Sequence, residues 1–147
     1  MPQVDGSSTL LVVDNDLSMT CHMVAVIERA LGDAINVESL INPNAARERL
    51  NEGGVDILLT DLQMPRVDGR DLLCWAKRRN PSTQVLLLAN AFSHDEVLHA
   101  LQMGAIDYLL KPVDQKELVE LIAQAHQRRQ QQELASEWQT SMALEVR

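Results

Sequence analysis

Five short apolar runs alternate with five stretches of helical periodicity, and that alternation leaves the chain very few architectures. The first run covers 9–13 and ends in Asp14, Asn15 and Asp16. From about Ser18 to Leu31, residues Met19, Met23, Val26, Ile27, Ala30 and Leu31 recur at helical spacing, and Gly32 is a stop signal. Residues 35–40 alternate in polarity, as a strand with one less buried side would. Asn42 and Pro43 open a helix through about Leu50, with Gly53 and Gly54 closing it. The run 55–61 ends in Asp61. A helix over 69–79 comes next and is broken by Asn80 and Pro81. Residues 84–89 form a fourth strand, 93–103 a fourth helix closed by Gly104, and 107–110 a fifth strand. The last helix starts near Asp114, with Glu117 placed as a capping-box partner.

Strand–helix repetition of this kind implies a parallel sheet covered by helices on both faces. Right-handed crossovers leave the flavodoxin-like, doubly wound order 2-1-3-4-5 as the expected topology for five units. In that order strands one and three are central neighbours, and their ends carry Asp14 and Asp61.

The 147 residues are about one domain's worth, and 46% hydrophobic with 23% charged is ordinary for a soluble globule. Aromatics make up only 3%, so the core must be aliphatic. No apolar stretch approaches the ~20 residues a membrane span needs, and residues 1–8, expected to be extended or disordered, lack the pattern of a signal peptide. Cys21 and Cys74 have no metal-ligand spacing and read as thiols of a reducing compartment, by default the cytoplasm. The net charge is −8, from 21 acidic and 13 basic residues. From His126 onward Arg128, Arg129 and Arg147 balance Glu133, Glu137 and Glu145, so the whole deficit belongs to residues 1–125. A main domain this acidic is a poor match for nucleic acid, which calls for a basic face.

Carboxylates leaving adjacent strand ends share one small volume, because neighbouring strands lie about 4.8 Å apart. Two like charges at ~4 Å repel by roughly 1–4 kcal/mol, so they share a proton or recruit a cation. An oxygen-only site suits Mg2+, which keeps several waters. Lys111, at the end of the fifth strand, can reach the same pocket and suits a phosphate. Acid, acid, lysine and a hard cation could place a phosphoryl group on an Asp.

Residues 10–125 resemble the receiver domain of bacterial two-component response regulators, of the chemotaxis-regulator type. The resemblance is carried by Val12, Val13 and Asp14, by Asp61 with Met64, Pro65, Asp68 and Gly69, and by the run from Gly104 to Pro112. It implies that Asp61 is the phosphoacceptor, that Lys111 contacts the phosphoryl group, and that Asp14 and Asp61 help hold Mg2+. The backbone carbonyl of Gln63 would also face the ion, and its side chain would influence acyl phosphate hydrolysis. Tyr108 would be the aromatic that swings inward on activation, and the Lys111–Pro112 bond would be cis. Such a domain is a signalling phosphoacceptor rather than an enzyme, and it takes phosphate from a sensor histidine kinase or a phosphotransfer protein.

Two residues depart from the family's pattern. Asn15 stands where a second acid is usual; its amide oxygen can ligate Mg2+ but brings no charge. Asp16 could compensate, although capping the first helix is its simpler role. Ala89 occupies the position of a Ser or Thr whose hydroxyl bonds the phosphoryl oxygen, so the usual link to the adjoining loop is missing. Such a bond to a charged group is worth about 1.5–3 kcal/mol. Asn90 could offer an amide donor from the next position. These departures support an alternative, a pseudo-receiver that works as an interaction module with little phosphorylation-dependent switching. A third reading, a phosphatase of the haloacid dehalogenase type, draws on Asp14, Asp16 and Ser18 but leaves Asp61 without a role.

The remaining candidates read as structural. His22, His94, His99 and His126 fall on helical segments with no common face, and Met64 and Met103 read as core filler. The receiver is assigned 9–126 and a helical extension 127–147, rich in helix formers and without Gly or Pro. Leu134, Trp138 and Met142 form a sparse stripe on it. The extension is expected to pair with a second copy of the chain as a homodimer, or to lead to an output domain beyond residue 147.

Overall fold

A computed structural model describes residues 6–145 and contains a five-stranded parallel sheet in the order β2-β1-β3-β4-β5. The strands are β1 (Ser8–Val13), β2 (Ile35–Leu40), β3 (Ile57–Asp61), β4 (Gln84–Ala89) and β5 (Asp107–Leu110). The helices are α1 (Leu17–Leu31), α2 (Pro43–Glu52), α3 (Gly69–Arg79), α4 (His94–Gln102) and α5 (Gln115–Glu145). The expected topology is therefore the one adopted, and β1 begins one residue earlier than its apolar run. Of the expected N-terminal segment, residues 1–5 lie outside the described residues. Among the described residues, no helix is long and apolar enough to cross a membrane.

Strand alternation sorts the core into two layers. Leu11, Val13, Leu58, Val85 and Leu87 point to the face covered by α2, α3 and α4. Leu10, Val12, Ile57, Leu59, Leu86 and Leu88 point to the face covered by α1 and α5. Both faces of β1, β3 and β4 are buried, which is why these strands read as continuous apolar runs. Truncating any one of these leucines to Ala would cost roughly 2–5 kcal/mol. β2 is an edge strand, and its mixed burial matches its alternating sequence.

Local chemistry fixes the helix ends. The Asp16 carboxylate accepts the Met19 N–H and caps α1, and the Asn42 side chain accepts from Asn44 and Ala45 at the start of α2. The Asp114 carboxylate takes the N–H groups of Lys116 and Glu117 at the start of α5. A reciprocal capping box forms elsewhere, between Asp68 and Asp71 at α3, where sequence reading did not place one. Gly69 allows that helix to start close against the end of β3. A Cβ there would collide with the Asp61 carbonyl oxygen and lie 2.9 Å from Leu62 Cα.

α5 runs on past the last core contact at Ala125 without a break. Arg129 secures it beneath the sheet, with Nε 3.0 Å from Asp56 Oδ1 and a donated bond of 3.0 Å to the Ser7 carbonyl. Asp56 in turn accepts the Thr9 N–H at 2.8 Å. Met103 is 37% exposed and is not core filler, because it lies just past the last turn of α4 at the surface. Met64 does pack against the α2–α3–α4 layer. Three histidines make polar contacts, each with a different partner: His126 with Ser8, His99 with Arg70 and His22 with Gln115. Cys21 and Cys74 are free thiols.

Candidate functional site

The site forms where β1, β3 and β5 deliver their last residues to one end of the sheet. β1 and β3 pair Val12 with Leu59 and Val13 with Thr60, so one more step sets Asp14 beside Asp61. On the other side of β3, the Lys111 N–H donates to the Ala89 carbonyl at 2.8 Å, which extends the β4–β5 ladder and aims the lysine across β4. The next peptide bond, Lys111–Pro112, is cis, as expected.

Asp14, Asp61 and Lys111 meet. The Lys111 Nζ donates to Asp61 Oδ2 at 3.1 Å and lies 2.9 Å from Asp14 Oδ2. Asp14 is fully buried and Asp61 is 7% exposed. Asp14 Oδ1 accepts the Asp16 N–H at 2.9 Å. Its other oxygen has the ammonium beside it but off the hydrogen-bonding direction, so it keeps an unused lone pair although it is buried. Asp61 Oδ1 faces the Gln63 N–H across a long 3.4 Å contact.

The electrostatics come from this packing. Burial raises the Asp61 carboxyl above its ordinary range; the Lys111 hydrogen bond works against that rise, and the charge of Asp14 adds to it. Burial also disfavours the Lys111 ammonium, but its contacts with Asp14 and Asp61 outweigh that and hold its pKa above the usual lysine value. One ammonium thus serves two carboxylates, leaving a net negative pocket with an underused buried oxygen.

That pocket suits a hard cation. The two carboxylates offer oxygen donors only, and Mg2+ takes one or two protein carboxylates while retaining water. Among the described residues, no group of three or more His, Cys, Asp and Glu side chains converges as a metal cage. The donor set fits an ion that is shared with water and with a substrate oxygen.

The model of the response regulator receiver domain matches residues 10–123. The chain belongs to that family. The receiver match runs from within β1 through β5 to the start of α5. The DNA-binding transcriptional regulator NtrC of Salmonella typhimurium is 38% identical over 124 residues, 82% of this chain and 26% of that protein. The response regulator PilR of Pseudomonas aeruginosa is 35% identical over 116 residues, 78% of this chain and 25% of that protein. The chain thus spans about a quarter of the length of these relatives. A receiver domain protein of Clostridium thermocellum superposes with a TM-score of 0.74 at 26% identity, covering 84% of this chain and 97% of that one.

The remaining receiver positions differ in how each is engaged. Asn15 is exposed beside Asp14, and the Asp16 carboxylate is committed to the cap of α1. Ala89 is buried and carries no donor. Tyr108 stands on β5, 40% exposed, at the outer surface. The Asn90 amide lies at the surface and is engaged beside the pocket, where its Nδ2 donates to Gln63 Oε1 at 2.9 Å. Sequence reading missed this pair. The signal was available, since both amides stand just beyond the ends of adjacent strands.

Proposed function

We propose that this receiver is a phosphoacceptor whose acceptor is Asp61, serving a sensor histidine kinase or a phosphotransfer protein. The observation that carries this reading is the meeting of Asp14, Asp61 and Lys111 in one ion-paired cluster at the strand ends. An Asp61 oxygen forms a bond to phosphorus as the P–N bond of the donor phosphohistidine breaks. The departing imidazole keeps the electron pair and takes up a proton. Lys111, already on the acceptor carboxylate, turns its ammonium to the transferred phosphoryl oxygens and offsets their charge. Asp14, Asp61 and the Gln63 carbonyl would hold Mg2+, with Asn15 able to add an amide oxygen; the ion supplies charge neutralisation to the phosphoryl oxygens. Tyr108 would turn inward in the active state. The domain would work in the cytoplasm as a signalling acceptor rather than a turnover enzyme.

Leu134, Trp138 and Met142 are 60%, 67% and 51% exposed on one stripe of α5. We take a second copy of the chain as the partner of that stripe, with an output domain of the kind that longer relatives leave room for beyond it. Nucleic acid is not a partner of the acidic domain itself.

A second reading, a pseudo-receiver without regulated switching, is favoured by the methyl group of Ala89 where a hydroxyl donor is usual. Incubation with Mg2+ and acetyl phosphate, then intact mass measurement, separates the two. A phosphoryl adduct on the wild type that is lost in Asp61→Ala supports the acceptor. No adduct at high donor concentration supports the pseudo-receiver.

A further inference from the structure

We propose that the Asn90 carboxamide, acting through Gln63, couples the Asp61 site to the start of α4 in place of the hydroxyl that Ala89 lacks. This coupling rests on the phosphoacceptor reading above. β3 and β4 are neighbours, with Asp61 opposite Leu88, so Gln63 and Asn90 leave adjacent strand ends. The Asn90 side chain bridges the two loops that begin there. Its Nδ2 donates to Gln63 Oε1 at 2.9 Å, while its Oδ1 accepts from the Phe92 N–H at 2.8 Å and from Ser93 Oγ at 3.0 Å. The Phe92 N–H can only donate, which fixes the oxygen end toward the loop and the amino end toward Gln63.

The loop end of this bridge is firmly seated. Ser93 is fully buried, stands at the N-cap of α4, and donates its own N–H to the Asn90 carbonyl at 3.2 Å. Its hydroxyl makes no cap bond within the helix because it is spent on Asn90. Asn90 therefore holds Phe92 and Ser93, the two residues that lead into α4, through one backbone donor and one buried hydroxyl. At the other end, the Gln63 N–H faces Asp61 Oδ1, and Gln63 is joined to Asp61 through a single intervening residue.

The path is thus continuous from the acceptor carboxylate through Gln63 and Asn90 to Phe92 and Ser93. Conversion of Asp61 to an acyl phosphate turns the carboxylate that the Gln63 N–H faces into a neutral carbonyl and sets charged phosphoryl oxygens beside it, and a bond to a charged acceptor is about twice as strong as one to a neutral acceptor. Gln63 is thereby drawn from its long contact with Asp61 toward the new oxygens, and Asn90 carries that shift to α4. The surface that moves holds Phe92, 93% exposed, and Leu98, 47% exposed. Asn90 is a positioning residue here, since it reaches the site only through Gln63.

Hydrogen exchange of amides 91–98 is compared with and without acetyl phosphate and Mg2+, normalised to the adduct-bearing fraction from intact mass. In the phosphorylation step an Asp61 oxygen bonds phosphorus, the anhydride P–O bond breaks and acetate leaves. Wild type should change exchange at these amides by about fivefold or more on phosphorylation, the low end of ordinary coupling. Asn90→Ala and Gln63→Leu should reduce that ratio below twofold even where the unphosphorylated loop exchanges faster. Ala89→Thr placed in the Asn90→Ala background should restore it by supplying the missing hydroxyl. A wild-type ratio in phosphorylated Asn90→Ala, or no response in the phosphorylated wild type, overturns the coupling while leaving the acceptor role intact. Absence of any adduct on the wild type overturns both.

Discussion

Replacing the proposed acceptor by its neutral isostere, Asp61→Asn, should make the protein more stable at pH 7. Lys111 Nζ is 2.9 Å from Asp14 Oδ2 and 3.1 Å from Asp61 Oδ2, so the two carboxylate oxygens are separated by no more than about 6 Å. At an effective dielectric near 20, their repulsion is about 3 kcal/mol and the attraction of Asp61 to Lys111 about 5 kcal/mol. Attraction alone would lower the carboxyl pKa. Burial nonetheless raises it, with Asp14 adding to the rise, so lost hydration exceeds the ~2 kcal/mol by which attraction leads. An ionised Asp61 is therefore a burden on the folded state, and an amide of the same shape removes it while Lys111 stays beside Asp14. The gain should be about 1 kcal/mol, typical of neutralising a functional site, or a rise in Tm of about 3 °C. The direction of the shift sets the sign of the pH dependence. A raised native pKa means the folded chain binds the proton more tightly than the unfolded one. The burden is thus complete above the native pKa and fades as pH falls toward the unfolded value of about 4. Urea unfolding of both proteins at pH 7 and near pH 4 measures this. A variant less stable than wild type at pH 7, or an advantage that grows on acidification, would refute the reasoning.

Lys111→Met should destabilise the fold by about 2 kcal/mol, below the range for a fully buried pair because the lysine side chain is 26% exposed. Mg2+ should recover more stability in this variant than in wild type, since a cation then takes the place of the ammonium; thermal melts across a Mg2+ titration report it. Gly69→Ala should cost about 1–3 kcal/mol in urea unfolding, because its methyl meets backbone of Asp61 and Leu62 rather than a yielding side chain. Trp138→Glu should shift the chain toward monomer in light-scattering chromatography without altering phosphorylation of Asp61, and an unchanged mass would remove the second copy as partner of that stripe.

Most of the fold was legible because the parallel strands are buried on both faces and stand out as unbroken aliphatic runs. The bounds of β2, β4, β5 and α3 coincide with their runs and caps, and crossover handedness dictated the order of strands. Asp14, Asp61 and Lys111 were legible for the same reason, each closing a strand whose place in the sheet was already fixed. What escaped depends on contacts between segments far apart in sequence. The Gln63–Asn90 bridge spans 27 residues and the Arg129 anchor on Asp56 joins α5 to the loop before β3; neither leaves a periodic trace. The Asp68–Asp71 capping box was missed because its second member is Asp rather than the usual Glu or Gln. Met103 was misread because its spacing fits α4, whereas the helix ends one residue before it.

The uninterrupted α5 gives this receiver a lever. Its 31 residues form a rod about 46 Å long, held at Arg129, with sixteen residues extending beyond that fulcrum to Glu145. A tilt of about 10° at the fulcrum would sweep the far end through roughly 4 Å, given ~1.5 Å of rise per residue. Small adjustments beneath the sheet are thereby magnified with distance, so whatever is joined to the distal end feels a displacement larger than the one that caused it.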